Sequence, residues 1–105
     1  MPRPPALTDE QRRRAIDKAR EVRAAMSRAR AELATGAMSL ARALEPREPA
    51  DPVARLYVVK VLESLPGVGK VSARRALEEL GIGERRRVST LGPQQRAALV
   101  ARFPA

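Results

Sequence analysis

The sequence predicts an all-α protein, and three observations carry that prediction. Alanine, leucine and arginine dominate the 105 residues, and all three are good helix formers. Apolar residues recur at spacings of three and four, and no segment alternates as a half-buried strand would. Helix start and stop signals punctuate the chain at helical intervals: Thr8 with Gln11, Gly36, Ser39, Asp51-Pro52, Gly81 and Gly92-Pro93.

Residues 1–8 hold three prolines and Arg3 and read as a disordered arm. Thr8 and Gln11 have the spacing of a capping box. The helix they open runs from about residue 9 to 33, with Ile16, Ala19, Val22, Met26, Ala29 and Leu33 as a narrow apolar stripe. Gly36 stops it. A stripe this thin buries little, so much of this helix is expected to project from the domain. Ser39 caps a short helix over 40–45, which completes an N-terminal helical arm, 9–45. A proline-rich loop, 46–52, separates this arm from a compact half, 53–105.

In that half Asp51 followed by Pro52 predicts a helix N-terminus. The helix carries Val53, Leu56, Tyr57, Val61, Leu62 and Leu65 and ends before Pro66. A second helix opens near Lys70, holds Val71, Ala73, Ala76, Leu77 and Leu80, and stops at Gly81. Residues 82–91 are irregular. A last helix starts at Gly92-Pro93 with Leu99, Val100 and Phe103 inward. Tyr57 and Phe103 are the only aromatics, so the core has to be aliphatic.

Charge narrows the function. Lys and Arg total 21 against 12 acids, a formal net charge of +9, and such an excess on one small domain points to a polyanionic partner. Cysteine and histidine are absent, which excludes disulfides, Cys/His metal sites and histidine base catalysis. No run of 18 apolar residues could span a membrane, and the N-terminus lacks an apolar signal region, so the cytoplasm is the expected compartment. No nucleophile–base pair or metal-ligand cluster is visible. Glu78, Glu79 and Glu84 suit pairing with nearby arginines better than catalysis. Neither an enzyme nor a cofactor is expected.

The most informative stretch is Leu65-Pro66-Gly67-Val68-Gly69-Lys70-Val71-Ser72-Ala73. Pro66 stops one helix. Gly67 and Gly69 allow positive φ and close approach of a ligand to the backbone. Val68 between them is expected to plug down between the two helices. The turn runs straight into a helix N-terminus, where amide N–H groups and the helix dipole favour a phosphate oxygen. Lys70 sits where a cation opposes that dipole, so an anionic ligand explains it better than helix stability does. This is the helix–hairpin–helix pattern, suited to gripping a nucleic-acid backbone without reading bases. A tight interhelical turn is the plainer alternative. Pro66, Gly67, Val68, Gly69, Lys70, Val71, Ser72 and Arg74 make up this first candidate site.

Arg85-Arg86-Arg87, with Ser89 and Gly92, forms a second candidate site ahead of the last helix N-terminus, able to reach phosphates or a narrow minor groove. Ser89 after Arg86-Arg87-Val88 also has the look of a basic-directed kinase site. The first helix, with Arg12, Arg13, Arg14, Lys18, Arg20, Arg23, Arg28 and Arg30, either lies along a backbone or is simply solvated.

Taken together, these residues resemble the actinobacterial integration host factor family over about residues 7–103. The resemblance rests on Leu7-Thr8-Asp9-Glu10-Gln11-Arg12, on Leu62-Glu63-Ser64-Leu65-Pro66-Gly67-Val68-Gly69-Lys70-Val71, and on Glu79-Leu80-Gly81-Ile82, Arg86-Arg87-Val88 and Leu91-Gly92. It implies a long N-terminal helix followed by a helix–two-turn–helix domain like that of a small-subunit ribosomal protein. It also implies binding and bending of double-stranded DNA, through backbone and minor groove, by a monomer acting on the nucleoid. Nucleoid organisation, transcription and phage integration follow as roles, with phage integrase–DNA complexes as further partners. An RNA-binding or ribosome-associated factor using the same hairpin is the alternative. The chain departs from the family in having Ser89-Thr90 where an Arg-Gly pair is usual, Tyr57 where a basic residue is common, and the proline-rich loop before Val53.

Overall fold

The computed structural model describes residues 6–104. Five α-helices follow one another: α1 (Asp9–Thr35), α2 (Leu40–Ala43), α3 (Val58–Ser64), α4 (Lys70–Glu79) and α5 (Pro93–Arg102), with a 3-10 turn at Val88–Thr90 ahead of α5. Extended pairing among the described residues is a lone antiparallel bridge between Tyr57 and Arg87. The all-α expectation therefore holds. The arm expected over 1–8 lies, for residues 1–5, outside the described residues.

The start of α1 is the capping box read from the sequence. Thr8 Oγ1 accepts from the Gln11 amide at 3.0 Å, and Gln11 Oε1 accepts from the Thr8 amide at 2.9 Å. Gly36 closes the helix at φ 83°, a left-handed conformation that costs a side-chain-bearing residue strain. Only the last turns of α1 are buried, through Ala29 and Leu33, while residues 9–21 are exposed throughout. At 1.5 Å per residue the 27 residues of α1 span about 40 Å. That projection accounts for a radius of gyration of 16.6 Å and extents of 52 × 32 × 24 Å, against about 13 Å for a compact chain of this size.

Among the described residues, those fully buried in the core are Ala, Leu, Val and Ile. Leu33, Leu44, Leu62, Leu77, Leu99, Val58 and Val61 are its largest fully buried side chains. Residues on both sides of the 46–52 loop share it, because Leu33, Leu40 and Leu44 pack in one cluster with α3, α4 and α5. Phe103 packs against the edge of that cluster.

One element differs from expectation. The Asp51-Pro52 signal does not open a helix that runs to residue 65: residues 50–56 form turns and bends, and α3 begins only at Val58. Asp51 Oδ1 does accept from the Val53 amide, at 2.9 Å, but it caps a turn. The reason lies elsewhere in the chain. Val58 N–H donates to the Arg86 carbonyl (2.8 Å), Val88 N–H to Leu56 (2.9 Å) and Ser89 N–H to Ala54 (2.9 Å). Residues 54–58 satisfy the loop at 86–89 instead of their own helical turns, and Val53, Ala54 and Leu56 are buried in the process. The short second helix also ends at Ala43 rather than 45, with Leu44 as its buried cap.

Candidate nucleic-acid interface

The hairpin between α3 and α4 forms as its sequence dictates. Pro66 cannot continue α3, which closes at Leu65 with its amide bonded to Leu62. Gly67 takes φ 75°, so the turn requires glycine there. Val68 is half-buried against the core, holding the turn down between the helices.

Gly69 does not use the positive φ that its residue type allows. It is the N-cap of α4 at φ −89° and ψ 175°, an extended backbone open to any residue. A Cβ built on it would meet nothing within 4 Å. The fold does not demand glycine at 69, so the space in front of that residue is open to whatever approaches from outside.

The amides of this turn are correspondingly free. Ala73 N–H is the first in α4 to find a carbonyl, that of Gly69 at 3.0 Å. None of the described hydrogen bonds uses the amides of Gly69, Lys70, Val71 or Ser72. These four groups stand at the positive end of a 10-residue helix. Gly69, Lys70, Val71 and Ser72 are all exposed. Val71 is 71% exposed, which a large apolar side chain does not need if its only task is packing. Chemically, the arrangement is an exposed row of unengaged N–H donors on a segment that carries the Lys70 cation, complementary to a phosphate. Arg74, one turn on, is not free in the same way: its Nε lies 3.1 Å from Glu84 Oε1.

The arginine loop divides its three side chains between different tasks. Arg85 is exposed and forms no ion pair among the described residues. Arg86 is half-buried and donates from Nε to Thr90 Oγ1 (2.9 Å) and from Nη2 to the Thr90 carbonyl (2.5 Å) and Gln95 Oε1 (3.2 Å). Arg87 reaches back across the bridge. Its Nη1 donates to the Arg55 carbonyl at 2.6 Å, and its guanidinium lies 4.5 Å from the centre of the Tyr57 ring. Two of the three arginines thus hold the loop against α5 and against 55–57, leaving only some of their donors for a ligand. Ser89 is exposed, with its amide bound to Ala54. The Gly92 amide is occupied by Gln95 Oε1 at 3.0 Å.

The sequence does not single out Thr90, Gln95 and Arg55 as the partners that hold this loop, and it marks Tyr57 only as an apolar helix position and a departure from the family. The Gln three residues after Gly92 was a visible capping signal. The contacts of Tyr57 and Arg55 with Arg87, some thirty residues apart, had no local signature. No group of acidic side chains able to hold a metal occurs among the described residues, and no helix there is long and apolar enough to cross a membrane.

Comparison with known proteins agrees with this geometry. Residues 33–103 match the model of the S13-like H2TH domain. The chain is 39% identical over 99 residues to the integration host factor of Mycobacterium tuberculosis, covering 94% of each protein. It is 40% identical over 99 residues to the integration host factor of Streptomyces coelicolor, covering 94% of this chain and 92% of that protein. Among solved structures, sIHF bound to an 8bp palindromic DNA superposes with a TM-score of 0.77 at 38% identity, over 83% of this chain and 98% of that one.

Proposed function

The chain belongs to the actinobacterial integration host factor family, and on that footing we propose that it binds double-stranded DNA through the phosphate backbone, without enzymatic chemistry and with little sequence preference. The observation that carries this reading is the row of four unengaged amides from Gly69 to Ser72, beside Lys70 and in front of the open space at Gly69. A phosphate seated there completes the hydrogen bonding of the α4 N-terminus and meets both the dipole and the lysine charge. The related sIHF is held in complex with DNA, and that supports DNA as the polyanion.

The arginine loop supplies a second contact, led by Arg85, with Arg87 presenting its outer face from its stack on Tyr57. Arg86 sets the loop's shape. The bonds at 86–89 join this loop to the segment that leads into α3, so the two contacts sit on one rigid frame. A frame with two phosphate-binding points is what bending or bridging a duplex requires. Nucleoid organisation, transcriptional effects and participation in phage integration follow from such bending, carried out by a monomer in the cytoplasm.

The test is a titration of labelled 20-base-pair duplex at several salt concentrations. If about five phosphates are neutralised, log affinity falls against log salt with a slope near −4.5. Gly69→Glu, which places a carboxylate before the amides, is expected to abolish the hairpin contact. A slope near zero, or preference for structured RNA of equal length in competition, refutes the reading.

A further inference from the structure

The arginine loop holds a hydroxyl to which DNA binding gives no task. Ser89 has Arg86 and Arg87 three and two residues before it, the spacing of a basic-directed kinase site. It lies exposed in the 3-10 turn Val88–Thr90. Its amide is held by the Ala54 carbonyl at 2.9 Å, but none of the described hydrogen bonds uses its Oγ. The neighbouring hydroxyl is occupied: Thr90 Oγ1 donates to the Arg87 carbonyl at 2.7 Å and accepts from Arg86 Nε at 2.9 Å. Of the two, Ser89 alone presents a free hydroxyl.

Ser89 also lines a cleft of about 70 Å³, together with Arg47 of the proline-rich loop and Arg96 of α5. Pockets for organic ligands are several times larger, so the cleft suits a single tetrahedral oxyanion. Both arginines are half-buried, and the Nε of each is buried without an acceptor. Their engaged donors serve backbone carbonyls: Arg47 Nη2 that of Arg42, and Arg96 Nη2 that of Leu91, each at 2.7 Å. Arg47 has Asp51 at 3.8 Å, while Arg96 has no carboxylate partner among the described residues. Glu45, the acidic residue of the cleft, is exposed and forms an ion pair with neither arginine among the described residues. Two half-buried guanidiniums with orphaned donors, beside one free hydroxyl, lack an acceptor.

We infer that Ser89 is a phosphorylation site whose phosphate closes onto Arg96 and Arg47 and switches off the second DNA contact. Ser89 Oγ attacks the γ-phosphorus of a nucleoside triphosphate held by a kinase. The new O–P bond forms as the bond to the nucleoside diphosphate breaks, and the hydroxyl proton passes to a carboxylate of the kinase. Arg86 and Arg87 are engaged with Thr90, Gln95 and Arg55 while the loop is closed, so a kinase reads them when the loop opens locally. Once attached, the phosphate carries about −1.5 to −2 charge and three acceptor oxygens. It meets the orphaned guanidiniums of Arg47 and Arg96, which lie outside the kinase motif, and the loop closes over it. The same charge opposes a DNA phosphate at Arg85 and Arg87. This last effect rests on the DNA-binding reading above.

Three readouts on the full chain test it. Incubation with the catalytic subunit of a basic-directed serine kinase and ATP, followed by peptide mass mapping, is expected to place one phosphoryl group on Ser89 and none on Ser89→Ala. No incorporation, or incorporation only elsewhere, overturns the site. Phosphorus NMR of the chain carrying phosphoserine at position 89 reads the docking. The second phosphate pKa is expected to lie about one unit below its value near 6 in the same chain unfolded in urea, and to return toward it in Arg96→Gln and Arg47→Gln. Equal values folded and unfolded, or no response to either variant, overturn the docking. On a 20-base-pair duplex the phosphorylated chain is expected to lose the contacts of Arg85 and Arg87. Its salt slope then flattens by about 1.8, and its deficit narrows about twelvefold between 50 and 200 mM salt. An unchanged slope overturns the switch. If the unmodified chain itself shows a slope near zero, the DNA-binding reading falls, while site and docking are still judged by mass and by NMR.

Discussion

Gly67 and Gly69 stand two residues apart in one turn, yet alanine should act on them in opposite ways. Gly67 is at φ 75° with nothing within 4 Å of an added Cβ, so Gly67→Ala meets no neighbour but must hold a left-handed backbone, at a cost of about 1–2 kcal/mol. An unfolding entropy near 2.1 cal/mol/K per residue gives about 0.22 kcal/mol/K for a chain this long, so Tm drops by about 5–9 °C. Gly69→Ala is free of strain at φ −89°. It gains about 0.4–1 kcal/mol from a stiffer unfolded chain and loses a similar amount because alanine is a poorer N-cap than glycine, so Tm should move by less than about 3 °C. Binding should rank the other way. The methyl group at 69 stands in the open space before the amides, and loss of one charge-assisted hydrogen bond, about 1.5–3 kcal/mol, weakens DNA affinity about 10- to 100-fold. Thermal unfolding by circular dichroism reads the first quantity and fluorescence anisotropy with labelled duplex the second. Parental affinity for Gly69→Ala would refute the close approach of a phosphate to this backbone.

Arg85→Ala and Arg86→Ala should separate in the same pair of assays. Arg85→Ala lowers affinity and flattens the salt slope by about 0.9 with Tm unchanged, whereas Arg86→Ala, which frees Thr90 and Gln95, lowers Tm by about 5 °C or more. Tyr57→Phe keeps the ring under Arg87 but loses the hydroxyl that accepts from Arg87 Nη2 at 3.3 Å, which should cost about 0.5–1.5 kcal/mol in thermal unfolding, while Tyr57→Ala also loses the stack, worth about a further 0.5–1 kcal/mol at an exposed site. Leu33→Ala, at a fully buried position, should cost about 2–5 kcal/mol in denaturant titration. Ile16→Ala, 52% exposed on the projecting part of the same helix, should stay within about 0.5 kcal/mol.

The helices whose ends are written locally are legible in the amino-acid order alone. Thr8 with Gln11 and Gly36 bound α1, Gly81 closes α4, and Pro93 opens α5, because capping and left-handed stops involve residues within one turn of each other. The hairpin is legible in the same way, its Pro-Gly-Val-Gly order dictating a turn into a helix N-terminus. Tertiary structure decided whatever depends on partners distant in the chain. The Asp51-Pro52 start was overridden because residues 54–58 found better hydrogen bonds at 86–89, thirty residues away. The same distance hid the division of labour in the arginine loop: the sequence shows three equivalent cations, and only the fold sends Arg86 to Thr90 and Gln95, and Arg87 to Tyr57 and Arg55. Gly69 shows both sides. Local pattern named it as a glycine of the turn, but only its φ and the open space before it show that it is free of the turn's own demand, since steric room is a property of what surrounds a residue, not of the residue.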